Sequence, residues 1–391
     1  MLHIWPLLPI VLLVPMCETW DADEIIAVLE HNDRICQIYL HEFSYSLFET
    51  VLTAAQHPFP ALTHLVLRLP VSVTILPDSF LGGSAPQLQT LHLDGIPFPG
   101  LPKLLLSATH LVHLDLECIP HTGYISPEAM VTGLSASTSL ETLHISFGSP
   151  RSRPDWNSRC PPRLTRTLLP ALTRLEFGGV SEYLEDLVAR IDAPLLDKLF
   201  ITFFHQLIFD TPQLSHFISR TPNFEAYDEV RVSFDIWSVN VAVPQAFGGA
   251  VRLGISSRGL DEQFSSVAQV CGSSFPRALI SMVENLYIKG VYWDFPSNDD
   301  TENRLWLEFL HPFTAVKDLY ISLEFTPSIA SALQELSGER ATEVLPTLQS
   351  LFLGQHTSED LRVQVEENIG QFVSARHLAG HPIVISRWEG Q

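Results

Sequence analysis

Apolar positions along this chain return in the pattern Leu-x-x-Leu-x-Leu. It occurs as Leu62-Leu65-Leu67, Leu88-Leu91-Leu93 and Leu111-Leu114-Leu116. With conservative replacements it continues as Leu140-Leu143-Ile145, Leu172-Leu175-Phe177 and Leu196-Leu199-Ile201. Late copies are Val283-Leu286-Ile288, Val316-Leu319-Ile321 and Leu348-Leu351-Leu353, and an early one is Ile35-Ile38-Leu40. The first position advances by 27, 26, 23, 29, 32 and 24 residues over the first seven copies, then by 33 and 32 at the end. A strand, a helix and two connections fill such an interval, whereas a single turn does not. A unit of this size cannot bury its apolar face alone, so the pattern predicts stacking. The expected fold is an α/β leucine-rich-repeat solenoid over residues 1–391, curved, with parallel strands on the concave face and helices on the convex face.

The segments between copies carry helix-start signals. Ser126-Pro127-Glu128 precedes Met130, Val131 and Leu134; Thr211-Pro212 precedes Leu214, Phe217 and Ile218; Ser181-Glu182 opens Tyr183, Leu184, Leu187, Val188 and Ile191 at helical spacing. The hydroxyl is expected to accept from an orphan backbone N–H, and proline gives up an N–H that had no partner. A second phrase marks the turn from helix to strand: Ser107-Ala108-Thr109, Ser135-Ala136-Ser137-Thr138, Ser219-Arg220-Thr221 and Pro312-Phe313-Thr314.

Two stretches interrupt the pattern. Residues 146–168 hold Pro150, Pro154, Pro161 and Pro162 with Arg151, Arg153, Arg159, Arg163 and Arg166, which predicts a flexible Pro/Arg-rich loop. Residues 224–260 alternate with period two through Val230-Val232-Phe234, Val239-Val241-Val243 and Val251-Leu253-Ile255, which predicts an irregular β-rich insertion. A helix follows over Asp261–Cys271. Residues 358–391 read as a C-terminal helix with a closing strand at Ile383-Val384-Ile385.

The stretch Met1 to Met16 is nearly all apolar, which suggests the core of a signal segment. No Lys or Arg precedes it, Pro6 and Pro9 break a helix, and no small-x-small cleavage site follows. A buried strand over Pro9–Val14, ahead of a helix Asp23–Leu29 and a strand Ile35–Leu40, is the preferred expectation.

The 391 residues carry a formal charge of −21, which disfavours sequence-independent nucleic-acid binding, since that needs a positive field. Five scattered cysteines, Cys17, Cys36, Cys118, Cys160 and Cys271, lack the spacing of a disulfide framework or a structural zinc site. Asn-x-Ser/Thr acceptors are missing too. The expected location is therefore cytoplasmic or nuclear, with secretion as the alternative, and no membrane partner is expected.

Gly-x-Gly-x-x-Gly, phosphate-loop, His-Glu-x-x-His and Gly-x-Ser-x-Gly motifs do not occur. No enzyme, cofactor or dedicated metal site is expected. One constellation emerges when the copies are laid in register. Alternate strand residues face opposite ways, so the residue between the two later leucines faces away from the core. Those residues are Val66, His92, Asp115, His144, Glu176 and Phe200. Parallel strands lie ~4.8 Å apart, so His92, Asp115, His144 and Glu176 should form a polar ladder. His64 and His113 lie one step away, and Arg174 and Lys198 stand two residues earlier on their strands. These eight residues are the candidate partner-binding set. Imidazoles titrate near neutrality and ligate zinc, so a pH-tuned or metal-binding surface is the third reading. As exposed pairs are worth only ~0–1 kcal/mol, Asp115→Ala is expected to leave the fold nearly unchanged.

Whole phrases of the chain resemble fungal F-box-like leucine-rich-repeat proteins. They are Trp5-Pro6 through Glu30-His31-Asn32-Asp33-Arg34, Leu76-Pro77-Asp78-Ser79-Phe80-Leu81-Gly82-Gly83 and Leu101-Pro102-Lys103-Leu104-Leu105-Leu106-Ser107-Ala108-Thr109. Gly123-Tyr124-Ile125-Ser126-Pro127-Glu128 and His311-Pro312-Phe313-Thr314-Ala315-Val316-Lys317-Asp318-Leu319 belong with them. The resemblance implies a protein-binding scaffold, the substrate-recognition module of a ubiquitin-ligase receptor. Its partner would be a protein substrate or adaptor. No Leu-Pro-x-Glu-type F-box helix precedes the first copy, so the resemblance covers the repeat region. A cullin-ligase adaptor is implied as a partner only with an F-box upstream.

Overall fold

The structure is a computed structural model that describes residues 8–14, 22–41, 45–69, 74–150, 166–206, 208–224, 227–244, 249–257, 260–276, 280–290, 300–336, 338–354 and 359–388. It is a mixed α/β protein with two compact units, Met1–Leu196 and Asp197–Gln391.

The first unit runs β1 (Ile10–Val14), α1 (Ala22–Leu29), β2 (Ile35–His41), α2 (Tyr45–Ala54), β3 (His64–Arg68), β4 (Thr90–Asp94), α3 (Leu101–Ser107) and β5 (His113–Ile119). It continues with α4 (Pro127–Leu134), β6 (Thr142–Phe147), β7 (Thr167–Leu168), β8 (Arg174–Gly179), α5 (Ser181–Val188) and β9 (Ile191–Asp192). Strands β1, β2, β3, β4, β5, β6 and β8 pair side by side in that order, all parallel. Each connection crosses back before the next strand begins, which a parallel pair requires. The N-terminal strand is present: Leu12 and Val14 are buried, while Val11 and Leu13 are each 54% exposed.

The repeat has a backbone cause. The N–H of the first leucine closes a turn onto the carbonyl three residues earlier: Leu62 to Phe59, Leu88 to Ala85, Leu111 to Ala108, Leu140 to Ser137, Leu172 to Leu169 and Leu196 to Ala193. The next residue's N–H then reaches the preceding copy: Thr63 to Cys36, Gln89 to Thr63, Val112 to Gln89, Glu141 to Val112 and Thr173 to Glu141, all at 2.8–2.9 Å. The turn therefore sets where each strand starts, and the rung sets its register. The two later apolar residues of each copy in this unit are buried, and the residue between them lies on the opposite, more open side, apart from buried His92. Helices α3 and α4 pack together, with Gly133 close to Pro102 and Leu105, and they bury Leu101, Leu104 and Leu105 and Met130, Val131 and Leu134.

The second unit runs β10 (Lys198–Phe204), α6 (Pro212–Arg220), β11 (Glu229–Asp235), β12 (Ser238–Pro244), β13 (Ala250–Ser256), α7 (Leu260–Ser273) and β14 (Asn285–Gly290). After these come α8 (Asp300–Leu310), β15 (Asp318–Ile321), α9 (Thr326–Gln334), β16 (Ser350–Leu353), α10 (Glu359–Leu378) and β17 (Val384–Arg387). Its strand order is β10-β13-β12-β11-β14-β15-β16-β17. The β-rich stretch at 224–260 is thus part of the sheet. Strand β12 runs antiparallel to both β11 and β13, and the remaining pairs are parallel. The same rung returns from Glu284 to Asp228, Lys317 to Glu284, Gln349 to Lys317 and Val384 to Gln349.

Local details match expectation at one helix start and differ at two others. Ser126 caps α4, its Oγ accepting from the Ala129 N–H at 3.2 Å. Thr211 does not cap α6; its buried hydroxyl instead bonds Ser274 Oγ at 2.6 Å, a partner 63 residues away. Val180, not Ser181, flanks α5. Of the stretch 146–168, residues 151–165 lie outside the described residues, and its two ends belong to β6 and β7. Strand β7 pairs in parallel with β9. None of the described helices is long and apolar enough to cross a membrane.

Candidate functional site

The register places Val66, His92, Asp115, His144 and Glu176 directly opposite one another on β3, β4, β5, β6 and β8. Leu13 and Tyr39 extend the row on β1 and β2, so it is apolar at one end and charged at the other. One step earlier lies the row Gln37, His64, Thr90, His113, Thr142 and Arg174. One step later lies His41, Arg68 and Asp94, with Glu117 opposite Asp94.

Asp115 is the hub. Its Oδ2 accepts from His92 Nδ1 at 2.6 Å, and His144 Nδ1 lies 2.7 Å from its Oδ1. His144 Nδ1 also comes within 3.7 Å of Glu117 Oε1. His92 is buried, 6% exposed, and Arg68 Nε donates to its Nε2 at 2.9 Å. That donation requires a lone pair on Nε2, so the His92 proton sits on Nδ1 and points at Asp115. Asp115 Oδ1 is itself buried and lacks a well-aligned hydrogen-bond donor, despite the close approach of His144.

Burial alone would raise the Asp115 carboxyl. The contacts and charges of His144 and His92 outweigh it and hold the group well below the usual carboxylate range. For His144, burial works downward, but Asp115, then Glu176 and Glu117, overcome it and hold the imidazole above its ordinary value. Glu176 is paired with Arg174 two residues earlier on β8.

A β-bulge shapes the edge of the cluster. Leu116 pairs Ile145 and Ile119 pairs Phe147, so Glu117 and Cys118 together occupy the span of Ser146. Cys118 adopts φ 50° there. Burial, followed by Asp94 and Glu117, pushes its thiol up, away from the reactive thiolate.

The eight expected residues are thus distributed unevenly. His92, Asp115 and His144 are in direct contact, and Glu176 acts on His144 by charge. Arg174 holds Glu176. His64 Nδ1 meets Thr63 Oγ1 at 2.9 Å, and exposed His113 stands one row away. Lys198 lies on the first strand of the second unit, opposite Ala250. Arg68, Asp94 and Glu117 escaped the sequence reading, although all three occupy the position two residues past the ladder in consecutive copies.

The second unit carries its own row at the equivalent position, also missed. Tyr287, Tyr320 and Phe352 are opposite one another on β14, β15 and β16. Their rings stack at 4.2 and 4.3 Å with interplanar angles of 9° and 6°. The Arg231 guanidinium lies over Tyr287 at 5.6 Å, and Trp388 leans against Tyr287 and Tyr320 with Lys289 over its own ring. Compared with known proteins, the sequence matches no family model and no curated protein.

Proposed function

We propose that this chain is a non-enzymatic protein-binding scaffold with the architecture of a curved leucine-rich-repeat solenoid. We read it as the substrate-recognition module of an F-box-type ubiquitin-ligase receptor working in the cytoplasm or nucleus. The observation that carries the scaffold reading is the variable position between two buried leucines. It presents Asp115, His144 and Glu176, beside buried His92, in one unit and Tyr287, Tyr320 and Phe352 in the other. Such a position changes side chain without disturbing the core, which is what a recognition surface needs. Aromatic and arginine side chains are also those that dominate protein interfaces. The ligase part rests on the sequence resemblance.

A charge swap tests the scaffold reading. Arg174→Glu with Glu176→Lys keeps a pair on β8 while inverting the charges along the row. The control is Arg304→Glu with Glu308→Arg on α8, an exposed i,i+4 pair. Affinity purification of tagged full-length chains should lose its specific partners with the first swap and keep them with the second. Identical partner profiles for both would refute the row as the recognition surface. With an F-box placed upstream, the chain should also bring down a cullin-ligase adaptor; failure there removes the ligase part and leaves the scaffold part standing.

A further inference from the structure

We propose that Asp115, Glu117 and His144 form a binding site for one divalent transition-metal ion of the zinc class. The inference is independent of the scaffold reading. One ligand atom from each of the three residues lies within 4.8 Å of the others. Asp115 and Glu117 are two apart on β5, which puts them on one face, and His144 lies opposite Asp115 on β6. A tetrahedral ion with bonds near 2.0–2.1 Å sets its ligands about 3.4 Å apart. His144 Nδ1 is 2.7 Å from Asp115 Oδ1 and 3.7 Å from Glu117 Oε1, so both of these separations lie within about 1 Å of the tetrahedral spacing. Two carboxylates balance the charge of the ion, and the imidazole nitrogen selects zinc-like ions over calcium or magnesium. Glu117 and His144 are partly open to solvent, which leaves the remaining position to water.

A second observation points to a cation here. Asp115 is oriented from behind: Arg68 donates to His92 Nε2, and buried His92 donates through Nδ1 to Asp115 Oδ2. Outer partners of this kind hold metal-binding carboxylates in position. The arrangement leaves Oδ1 buried, without an aligned donor, and facing His144. A metal ion would satisfy that oxygen.

The neighbouring triad His92, Asp94 and Glu117 is equally compact. However, both His92 nitrogens are already engaged, and filling that triad would break one of those bonds. It also shares Glu117 with the first triad. The site therefore takes one ion, on the Asp115 side.

The test uses the full chain, stripped with a chelator and desalted, then titrated with zinc chloride against a chromophoric competitor. One zinc per chain is expected, with affinity at least tenfold weaker in Glu117→Gln and in His144→Ala. Affinity should stay within threefold in Asp94→Asn and in His113→Ala, the exposed histidine one row away. Circular dichroism establishes that each variant is folded, and cobalt provides a readout on the unmodified chain. Weak visible bands without an intense near-ultraviolet thiolate band are expected. Absence of zinc uptake, undiminished uptake in both ligand variants, or an Asp94→Asn loss matching Glu117→Gln would overturn the assignment. So would a thiolate band, which would place the ion on Cys118.

Discussion

Truncating Leu114 and Asp115 in turn tests the strand faces and the buried network together. The two residues are adjacent on β5 and point to opposite sides. Leu114 is fully buried between Leu91 and Leu143, themselves fully buried. Leu114→Ala opens a cavity among side chains that cannot collapse, at a cost of about 2–5 kcal/mol. Asp115→Ala removes no apolar packing, and as a plain surface carboxylate it would cost ~0–1 kcal/mol. The structure revises that expectation, because the partner of Asp115 is His92, which is buried and keeps its proton on the nitrogen facing the lost carboxylate. An unsatisfied buried donor costs about 1–3 kcal/mol, so Asp115→Ala should destabilise by that amount. Glu117→Ala, which strands no buried group, should cost ~0–1 kcal/mol. The assay is equilibrium urea unfolding followed by circular dichroism, in chelator-containing buffer, with differences taken from midpoints at a common slope. The expected order is Leu114 above Asp115 above Glu117. A Leu114→Ala cost below about 1 kcal/mol would show that the leucine side is not the core. An Asp115→Ala cost indistinguishable from that of Glu117→Ala would show that His92 does not depend on Asp115.

Two further outcomes follow from buried charge. The Asp115–His144 interaction is a single contribution shared by two groups, and its pH window follows from the direction of each shift. Asp115 titrates lower in the folded chain, so its contribution is present above the ordinary value of 3.8 and is lost as pH falls through the folded value. His144 titrates higher when folded, so its contribution is full below 6.5 and is lost as pH rises through the folded value. The stability difference between wild type and Asp115→Asn, measured by urea unfolding from pH 3 to 9 without metal, should peak between these limits; a flat profile from pH 5 to 8 would contradict it. In the second unit, Arg376 is fully buried and donates to the carbonyls of Ala341, Pro346 and Leu348. Arg376→Met fills the space yet strands those acceptors, and should cost about 2–4 kcal/mol in thermal or urea unfolding.

The recurring leucines were enough to predict a parallel α/β arrangement, because a period-two pair after a fixed turn leaves one consistent way to bury the apolar side. They also made the ladder legible: once Leu91, Leu114 and Leu143 align, His92, Asp115 and His144 must align too, one residue on. The N-terminal strand was readable for the same reason, since Leu12 and Val14 share a face. Proline and serine at Ser126-Pro127 marked a helix start because capping is local chemistry.

Other features depended on contacts between distant residues. Thr211 has the sequence of a cap, yet Ser274 takes its hydroxyl. The period-two stretch from Val230 to Ile255 announced strands but not their direction; pairing placed β12 antiparallel between two strands that run with the rest. The bulge at Cys118 shows in no periodicity, yet it governs how Glu117 sits beside His144. Sequence alone determined which residues share a face, because side-chain alternation is a property of each strand. Which of those residues hydrogen-bond, stack or bury their charge was decided only by tertiary structure. Interactions of this kind depend on ångström-scale distances and on burial, and both arise only when strands from separate parts of the chain are brought together.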